Sequence, residues 1–388
     1  MATLLLIVIY ISYIGLGIPD SLFGAAWPAI HTEFDIPVSS AGYITMLVSV
    51  CTALSSVVSA KLVNRFSTKW VVAVSTAFTA VALFGFSFSS NIYILCLFAI
   101  PLGFGAGAID ATLNNYVALN YSATQMNFLH CFYGIGVSVS PYLMSLALRG
   151  SNEWRMGYRA VFYIQLAIMV IAFVSLPLWN KVKENKPSED DFTPVSLSYR
   201  QMIKMPSVVM VWLCFMTSCA IESLCTTWGS TFLVNTRGLS ADKGAEMVTL
   251  YFLGLTLGRF CSGLFARKIS PWNLIKIGEC IVFLSILLMM LPLPACFAGA
   301  ALFFTGFGIG PVFPNFTHLT PINFGREVSQ SVIGSQMATT YVSIMLTPPL
   351  FGQIVKCFGT DVFPCFAMAL FVLLVLSTAG LIKSLKAK

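Results

Sequence analysis

Apolar runs of membrane-spanning length recur along the whole chain, and only one long polar stretch interrupts them. A hydrocarbon core about 30 Å thick needs about 20 apolar residues per helical crossing. Hydropathy and helix breakers place twelve helices near 3–28, 38–62, 69–89, 91–119, 126–148 and 157–180, then 206–234, 241–266, 271–291, 294–320, 327–353 and 361–383. The polar exception is residues 181–204, KVKENKPSEDDFTPVSLSYRQMIK, which reads as a linker. Of 388 residues only 10% are charged, against about 25% in a soluble domain. The expected fold is therefore an all-α polytopic membrane protein. Its parts are a six-helix bundle over 1–180, a cytoplasmic linker over 181–205 and a second bundle over 206–388. The first apolar run has no basic segment before it and reads as a retained span, not a cleaved signal.

Basic loop residues set the orientation. Lys61, Arg65, Lys69, the linker, Arg267, Lys268, Lys276, Arg326 and the C-terminal lysines fall on one side of the twelve spans. Arg149, Arg155, Arg159, Arg237, Lys243 and Lys356 fall on the other. The richer side is cytoplasmic, so both termini are expected there, with the chain multi-pass in the plasma (inner) membrane. This distribution, and not nucleic acid, accounts for the net charge of +7. The 11 Cys lack CxxC spacing and sit in apolar runs, so neither disulfides nor metal is expected.

The two halves repeat. A shift of 202 lays Asp20-Ser21-Leu22 on Glu222-Ser223-Leu224, Gly42 on Gly244, Arg65 on Arg267 and Trp70 on Trp272. A shift of 203 lays GFGAG (103–107) on GFGIG (306–310). Two halves in the same orientation imply duplication about an axis along the membrane normal.

The acids and amides inside the spans are the candidate functional residues, because burying them in a bilayer is costly. The fourth span, PLGFGAGAIDATLNNYVALNY (101–121), places Asp110 and Asn114 on one helical face, with Asn115 beside them. Gly103 and Gly107 form a G-x-x-x-G packing step. Asp20 lies in the first span between Pro19 and Pro28, and Glu222 is its repeat mate. Asp20, Asp110 and Glu222 are the candidate proton-coupling groups, although Glu222 could instead bind substrate or pair with the intramembrane Arg259. In the fifth span Asn127 and His130 share a face, with Tyr133 three residues on. A neutral imidazole can donate and accept together, which suits a hydroxylated ligand. Asn315 and His318 are the corresponding candidates in the tenth span. Trp27 and Trp228 could stack on a sugar face or belong to an interfacial aromatic belt. LGRFCSGLFARK (257–268) places Arg259 and Arg267 towards a cytoplasmic helix end, where carbonyl dipoles favour cations. Gly258, Arg259, Gly263 and Arg267, spaced GRxxxGxxxR, resemble the cytoplasmic gate signature of the major facilitator superfamily. Its first-half counterpart around Arg65 is degenerate, with Asn64 and Val57 where charges are usual.

GAGAIDATLNNYV (105–117) resembles the helix-4 signature of the fucose–galactose–glucose/proton symporter branch of the major facilitator superfamily. MNFLHCFYGIG (126–136) is similar to that branch's helix-5 pattern, with His130 where Gln is usual, and FPNF (313–316) resembles its helix-10 element. The resemblance implies the major facilitator fold, with two pseudo-symmetric six-helix bundles. It also implies protonation at Asp20 and Asp110 and a sugar site lined by Asn114 and His130.

The expectation is a proton-coupled carrier importing a small hydroxylated solute, with a monosaccharide leading, by alternating access. A drug or metabolite/proton antiporter on the same fold and a non-transporting sugar sensor stay open as alternatives. Sodium stays open as coupling ion, since carboxylates and asparagines are oxygen ligands. No further cofactor is expected, and the bilayer, the solute and the proton are the expected partners of a monomer. An enzyme is not expected. No nucleophile–base pair sits in a loop, and GFGAG lies inside a span, so it is no dinucleotide fingerprint.

Overall fold

The structure, a computed structural model, describes residues 2–37, 40–150, 153–184, 195–239 and 241–386. Its helices are α1 (Ala2–Glu33), α2 (Ala41–Ser87), α3 (Ile92–Asn120), α4 (Ala123–Gly150), α5 (Trp154–Val174), α6 (Leu176–Glu184) and α7 (Tyr199–Met202), then α8 (Pro206–Arg237), α9 (Ala241–Phe265), α10 (Pro271–Met290), α11 (Ala295–Ile309), α12 (Val312–Phe324), α13 (Ser329–Phe358) and α14 (Phe363–Lys386). No β-strand occurs among the described residues. Ten helical segments among them are long and apolar enough to cross a membrane. One of these, α2, contains two passes. The 30 residues of α13 supply a further one, with Ser329, Gln330, Ser331, Ser335, Gln336 and Thr340 making its first half polar. The result is the twelve-helix plan.

Two departures from the expected boundaries have local causes. The second and third spans run on as one helix, α2, broken only by Ser67 at φ 66° and ψ 155°. The tenth span is split into α11 and α12 at Gly310-Pro311. Gly310 keeps helical geometry at φ −47° and ψ −51°, and the break comes from Pro311, which lacks the N–H that would continue the ladder.

The chain forms two compact units. One comprises Met1–Tyr116, Leu129–Ser196 and Arg326–Ala338; the other comprises Val117–Phe128, Leu197–Gly325 and Thr339–Lys388. The first unit therefore takes in the polar start of α13. There Gln330 donates to Ser59 Oγ at 3.1 Å and Ser329 to Asn115 Oδ1 at 2.6 Å. Its apolar core gathers Ile18, Leu22, Trp27, Phe86, Leu102 and Trp154.

The repeated glycine steps do the same job in each unit. A Cβ on Gly107 would strike the carbonyl oxygen of Thr52, and one on Gly103 would meet Val48 O at 2.5 Å. Gly105 turns the other way, onto Ser75 and Thr79, so α3 is wedged between the two arms of α2. In the second unit Gly306 and Gly310 seat α11 against the backbone of α9 at Tyr251 and Leu255. Close backbone approach of this kind is what small residues permit between membrane helices.

At the end of α1, beyond its apolar span, Glu33 is gripped by Arg155 as a fork. Nη2 donates to Oε1 at 2.6 Å and Nη1 to Oε2 at 3.0 Å, while Trp154 Nε1 donates to Oε2 at 2.6 Å. The Arg155 guanidinium holds the Glu33 carboxyl below its ordinary value. A depressed carboxyl stabilises the fold above its unfolded pKa, and that stabilisation is lost as pH falls through the folded value. In detergent, the melting temperature is expected to fall as pH drops below about 4.3, the unfolded carboxyl value. Glu33→Gln is expected to flatten that segment of the curve, and the effect is small because the pair is partly exposed. The backbone of Ser67 lies near a region reached almost only by glycine, at a cost of about 1–3 kcal/mol. Ser67→Gly is expected to raise the melting temperature and Ser67→Val to lower it. Equal melting temperatures for the two variants would show that the turn is unstrained.

Candidate functional site

The site of the first unit is built by α1, α3 and α4. Two glycines let α1 and α4 touch along their backbones. A Cβ on Gly17 would strike the carbonyl oxygen of Tyr133, and one on Gly136 that of Ile14. Ser21 reinforces the contact by donating to Val137 O at 2.5 Å, and its hydroxyl lies 3.0 Å from that of Ser140. Tyr10 stacks on Phe132, with ring centroids 4.6 Å apart. This crossing brings the polar residues of the two helices together beside α3.

Asp110 is 7% exposed on α3. Its Oδ1 accepts from Tyr13 Oη at 2.9 Å and from Asn114 Nδ2 at 2.9 Å. Asn114 Nδ2 also donates to Tyr13 Oη at 2.5 Å and to Asp110 O at 3.0 Å. All three partners are acceptors, which fixes the orientation of the amide. The other end of Asn114, Oδ1, lies 3.1 Å from His130 Nε2. A carbonyl oxygen only accepts, so His130 carries its proton on Nε2. The Tyr13 and His130 rings meet edge to face at 5.6 Å. The side chain of Met337 from α13 closes on Asn114, with Sδ 3.7 Å from Nδ2. Tyr13 and Asn114 are thus neutral donors to the Asp110 carboxylate. Hydrogen bonds of this kind favour the charged form of a carboxylate against the cost of its burial. Asp20 is the second acid of this unit. It is exposed on α1 and accepts from Tyr133 Oη at 2.5 Å.

The structure brings together Asp110, Asn114 and His130, and separately Asp20 and Tyr133, which the sequence had grouped with His130. Tyr13, which ties Asp110 to Asn114, was not among the expected residues. Its signal was present: it stands two turns before Asp20 on one face of the first span.

Other candidates are committed to protein partners. Asn115 accepts from Ser329. Asn127 and Asn315 are both fully buried in the second unit. Asn127 Nδ2 donates to Ala123 O at 2.8 Å and weakly to Asn315 Oδ1 at 3.4 Å. Asn315 Nδ2 donates to Ser262 Oγ at 3.0 Å and Pro311 O at 2.7 Å. Trp27 is a core side chain of the first unit, packed on Phe23 and His31. Trp228 donates to Pro348 O at 3.1 Å and packs on Phe351. His318 is half-buried, with its Nδ1 sealed and without a partner among the described residues. Of the three arginines assigned to a gate, Arg65 and Arg267 are exposed, whereas Arg259 is 6% exposed inside α9. Glu222 is half-buried on α8.

Comparison with known proteins places this geometry. The chain is 22% identical to Bypass of stop codon protein 6 of Saccharomyces cerevisiae, over 94% of this chain and 80% of that protein. It is 22% identical to the glucose/mannose transporter GlcP of Bacillus subtilis, over 71% of this chain and 70% of that one. The crystal structure of the Escherichia coli fucose:proton symporter FucP superposes with a TM-score of 0.77 at 14% identity, over 96% of this chain and 98% of FucP. That likeness is one of fold. The model of the Major Facilitator Superfamily matches residues 9–348, and the chain, a multi-pass membrane transporter, belongs to that family.

Proposed function

We propose that this transporter imports a small hydroxylated solute, with a monosaccharide as the leading candidate, by proton symport. The observation that carries this reading is the Asp110 carboxylate, buried inside a membrane-crossing helix and held by Tyr13 and Asn114, two uncharged donors. A bare carboxylate resists a change of conformation that would leave it in a low-dielectric interior, and protonation removes that resistance. Asp20, reachable by water-sized solutes and bonded to Tyr133, is the second proton-accepting group, and Glu222 is its counterpart in the second half. Asn114 and His130 join the acid to a pair of groups that can donate to and accept from hydroxyls.

The relatives' names support the substrate class. GlcP is a glucose/mannose transporter and FucP a fucose:proton symporter. The reading places the chain in the plasma (inner) membrane with both termini cytoplasmic, where the membrane potential contributes about 2.3 kcal/mol per elementary charge per 100 mV.

The test uses the purified protein in proteoliposomes with an imposed proton gradient and radiolabelled D-glucose, D-mannose and L-fucose. The wild type is expected to accumulate at least one of them. Asp110→Asn is expected to lose gradient-driven accumulation while keeping counterflow exchange. Accumulation by that variant at the wild-type level would remove Asp110 from coupling, and accumulation driven by sodium alone would replace the coupling ion. Tyr13→Phe deletes a donor to Asp110, a bond to a charged group worth about 1.5–3 kcal/mol. Gradient-driven uptake is expected to drop about tenfold and its pH profile to move. An unmoved profile would assign Tyr13 a packing role only.

A further inference from the structure

Three helices of the second unit leave a groove that the carrier reading does not use. α9 and α10 are joined by a tight turn, in which the Lys268 N–H donates to Phe265 O at 2.8 Å and the Ile269 N–H at 2.9 Å. Both helices pack on α11, yet among the described residues they pack only marginally on each other. Glycine sets how closely they approach α11. A Cβ on Gly258 would strike the carbonyl oxygen of Phe307, and one on Gly278 that of Gly308. The two helices therefore settle onto the backbone of α11 and leave the space between them unfilled. That space is a cavity of about 260 Å³. Phe265 of α9 and Leu274, Ile277 and Ile281 of α10 line its walls, and Phe307 and Pro311 line the side towards α11.

Hydrocarbon is what this groove can take. Its lining is apolar, and an apolar cavity does not hold water. Phe265 and Ile277 are exposed, and both walls belong to membrane-crossing segments, so the opening faces acyl chains. The charge lies at one end. The α9–α10 turn falls between two crossing segments and so at headgroup depth. Lys268 and Lys276 are chain neighbours of the lining residues Ile269 and Ile277, and Arg267 stands between the lining residues Phe265 and Ile269. Long basic side chains one turn inside a span reach the headgroups by extending along the helix. All three cations are exposed, and none has an ion-pair partner among the described residues. The one acid in residues 257–325 is Glu279. It turns to α14, where it accepts from Thr378 Oγ1 at 2.6 Å, and leaves the basic end of the groove uncompensated.

We infer that this groove binds one anionic phospholipid, with an acyl chain between α9 and α10 and the phosphate diester on Arg267, Lys268 and Lys276. The apolar cavity selects for a chain, and the cations select for a net negative headgroup, to which each contributes separately. A filled groove restores the van der Waals contacts that its lining otherwise lacks, so the lipid stabilises the α9–α10 pair against α11. The site is independent of the solute and of the coupling ion.

The full-length protein, stripped of lipid in detergent, tests this by melting temperature and by native mass spectrometry. The probes are dioleoyl phosphatidylglycerol, dioleoyl phosphatidylcholine and glycerol 3-phosphate. Phosphatidylglycerol is expected to raise the melting temperature and to remain as one tightly held lipid per chain, with an apparent affinity about tenfold above that of phosphatidylcholine. Glycerol 3-phosphate is expected to do neither. The double variant Lys268→Gln/Lys276→Gln is expected to erase the preference. The control Lys383→Gln/Lys386→Gln, which removes the same charge from exposed positions on α14, is expected to keep it. Cys261→Phe fills the groove from its half-buried lining cysteine, and Ile277→Trp narrows its exposed edge. Each is expected to weaken phosphatidylglycerol several-fold with all three cations in place, and Ile277→Trp carries the test if Cys261→Phe does not fold. Equal affinity for the two lipids would overturn the inference. So would a preference that survives Lys268→Gln/Lys276→Gln, or one that the control pair loses equally, because the headgroup would then lie elsewhere. Undiminished binding in Ile277→Trp and Cys261→Phe, or stabilisation by glycerol 3-phosphate to the same degree, would remove the acyl chain from the groove and overturn it as well.

Discussion

A polar group inside a membrane-crossing helix must find its partners within the protein, because lipid offers none. The placement of Asp110 follows from this. Its carboxylate is held by a tyrosine from α1 and an asparagine one turn along its own helix, and that asparagine is held in turn by a histidine from α4. The tyrosine and the histidine join α1 and α4 to α3. The same bonds that make the acid tolerable therefore fix the geometry of three helices around it. Removing any one of them would leave a buried polar atom with nothing to replace its partner, and such a loss costs more than the bond itself contributes.

Small residues make those bonds geometrically possible. Hydrogen bonds of 2.5–3.1 Å between side chains of different helices require axes closer than most apolar packing permits. Gly17 and Gly136 bring α1 onto α4, and Gly103 and Gly107 bring α3 onto α2, in each case backbone to backbone. The glycines and the polar cluster are thus one device. The same step recurs at Gly306 and Gly310, where it seats α11 on α9 beside Tyr251. The duplicated scaffold has kept its packing while the groups it presents have diverged.

Much of this was legible in the residues. The apolar runs located the helices, and the G-x-x-x-G spacing marked a tight edge. The separation of four between Asp110 and Asn114 put acid and amide on one face. What escaped was whatever depends on partners distant in sequence. Tyr13 looks like any aromatic in an apolar run until the helix crossing sets it against Asp110, 97 residues away. Asn127 and Asn315 carry the composition of a ligand site, yet they bond to backbone carbonyls, to Ser262 and weakly to each other. Trp27 has the face a sugar could use, but the core of the first unit covers it. Composition identifies a side chain's capacity to bond, and only packing decides whether the protein has already used it.

The two units answer the burial constraint in opposite ways. In the first, a buried acid accepts from a tyrosine and an asparagine. In the second, an arginine and a tyrosine are buried with donors to spare. A cluster whose polar atoms bond to one another needs nothing from outside to be stable. An unsatisfied one is stable only because the surrounding fold holds it. The difference between Asp110 and Arg259 is one of hydrogen-bond supply, and it is set before any substrate is considered.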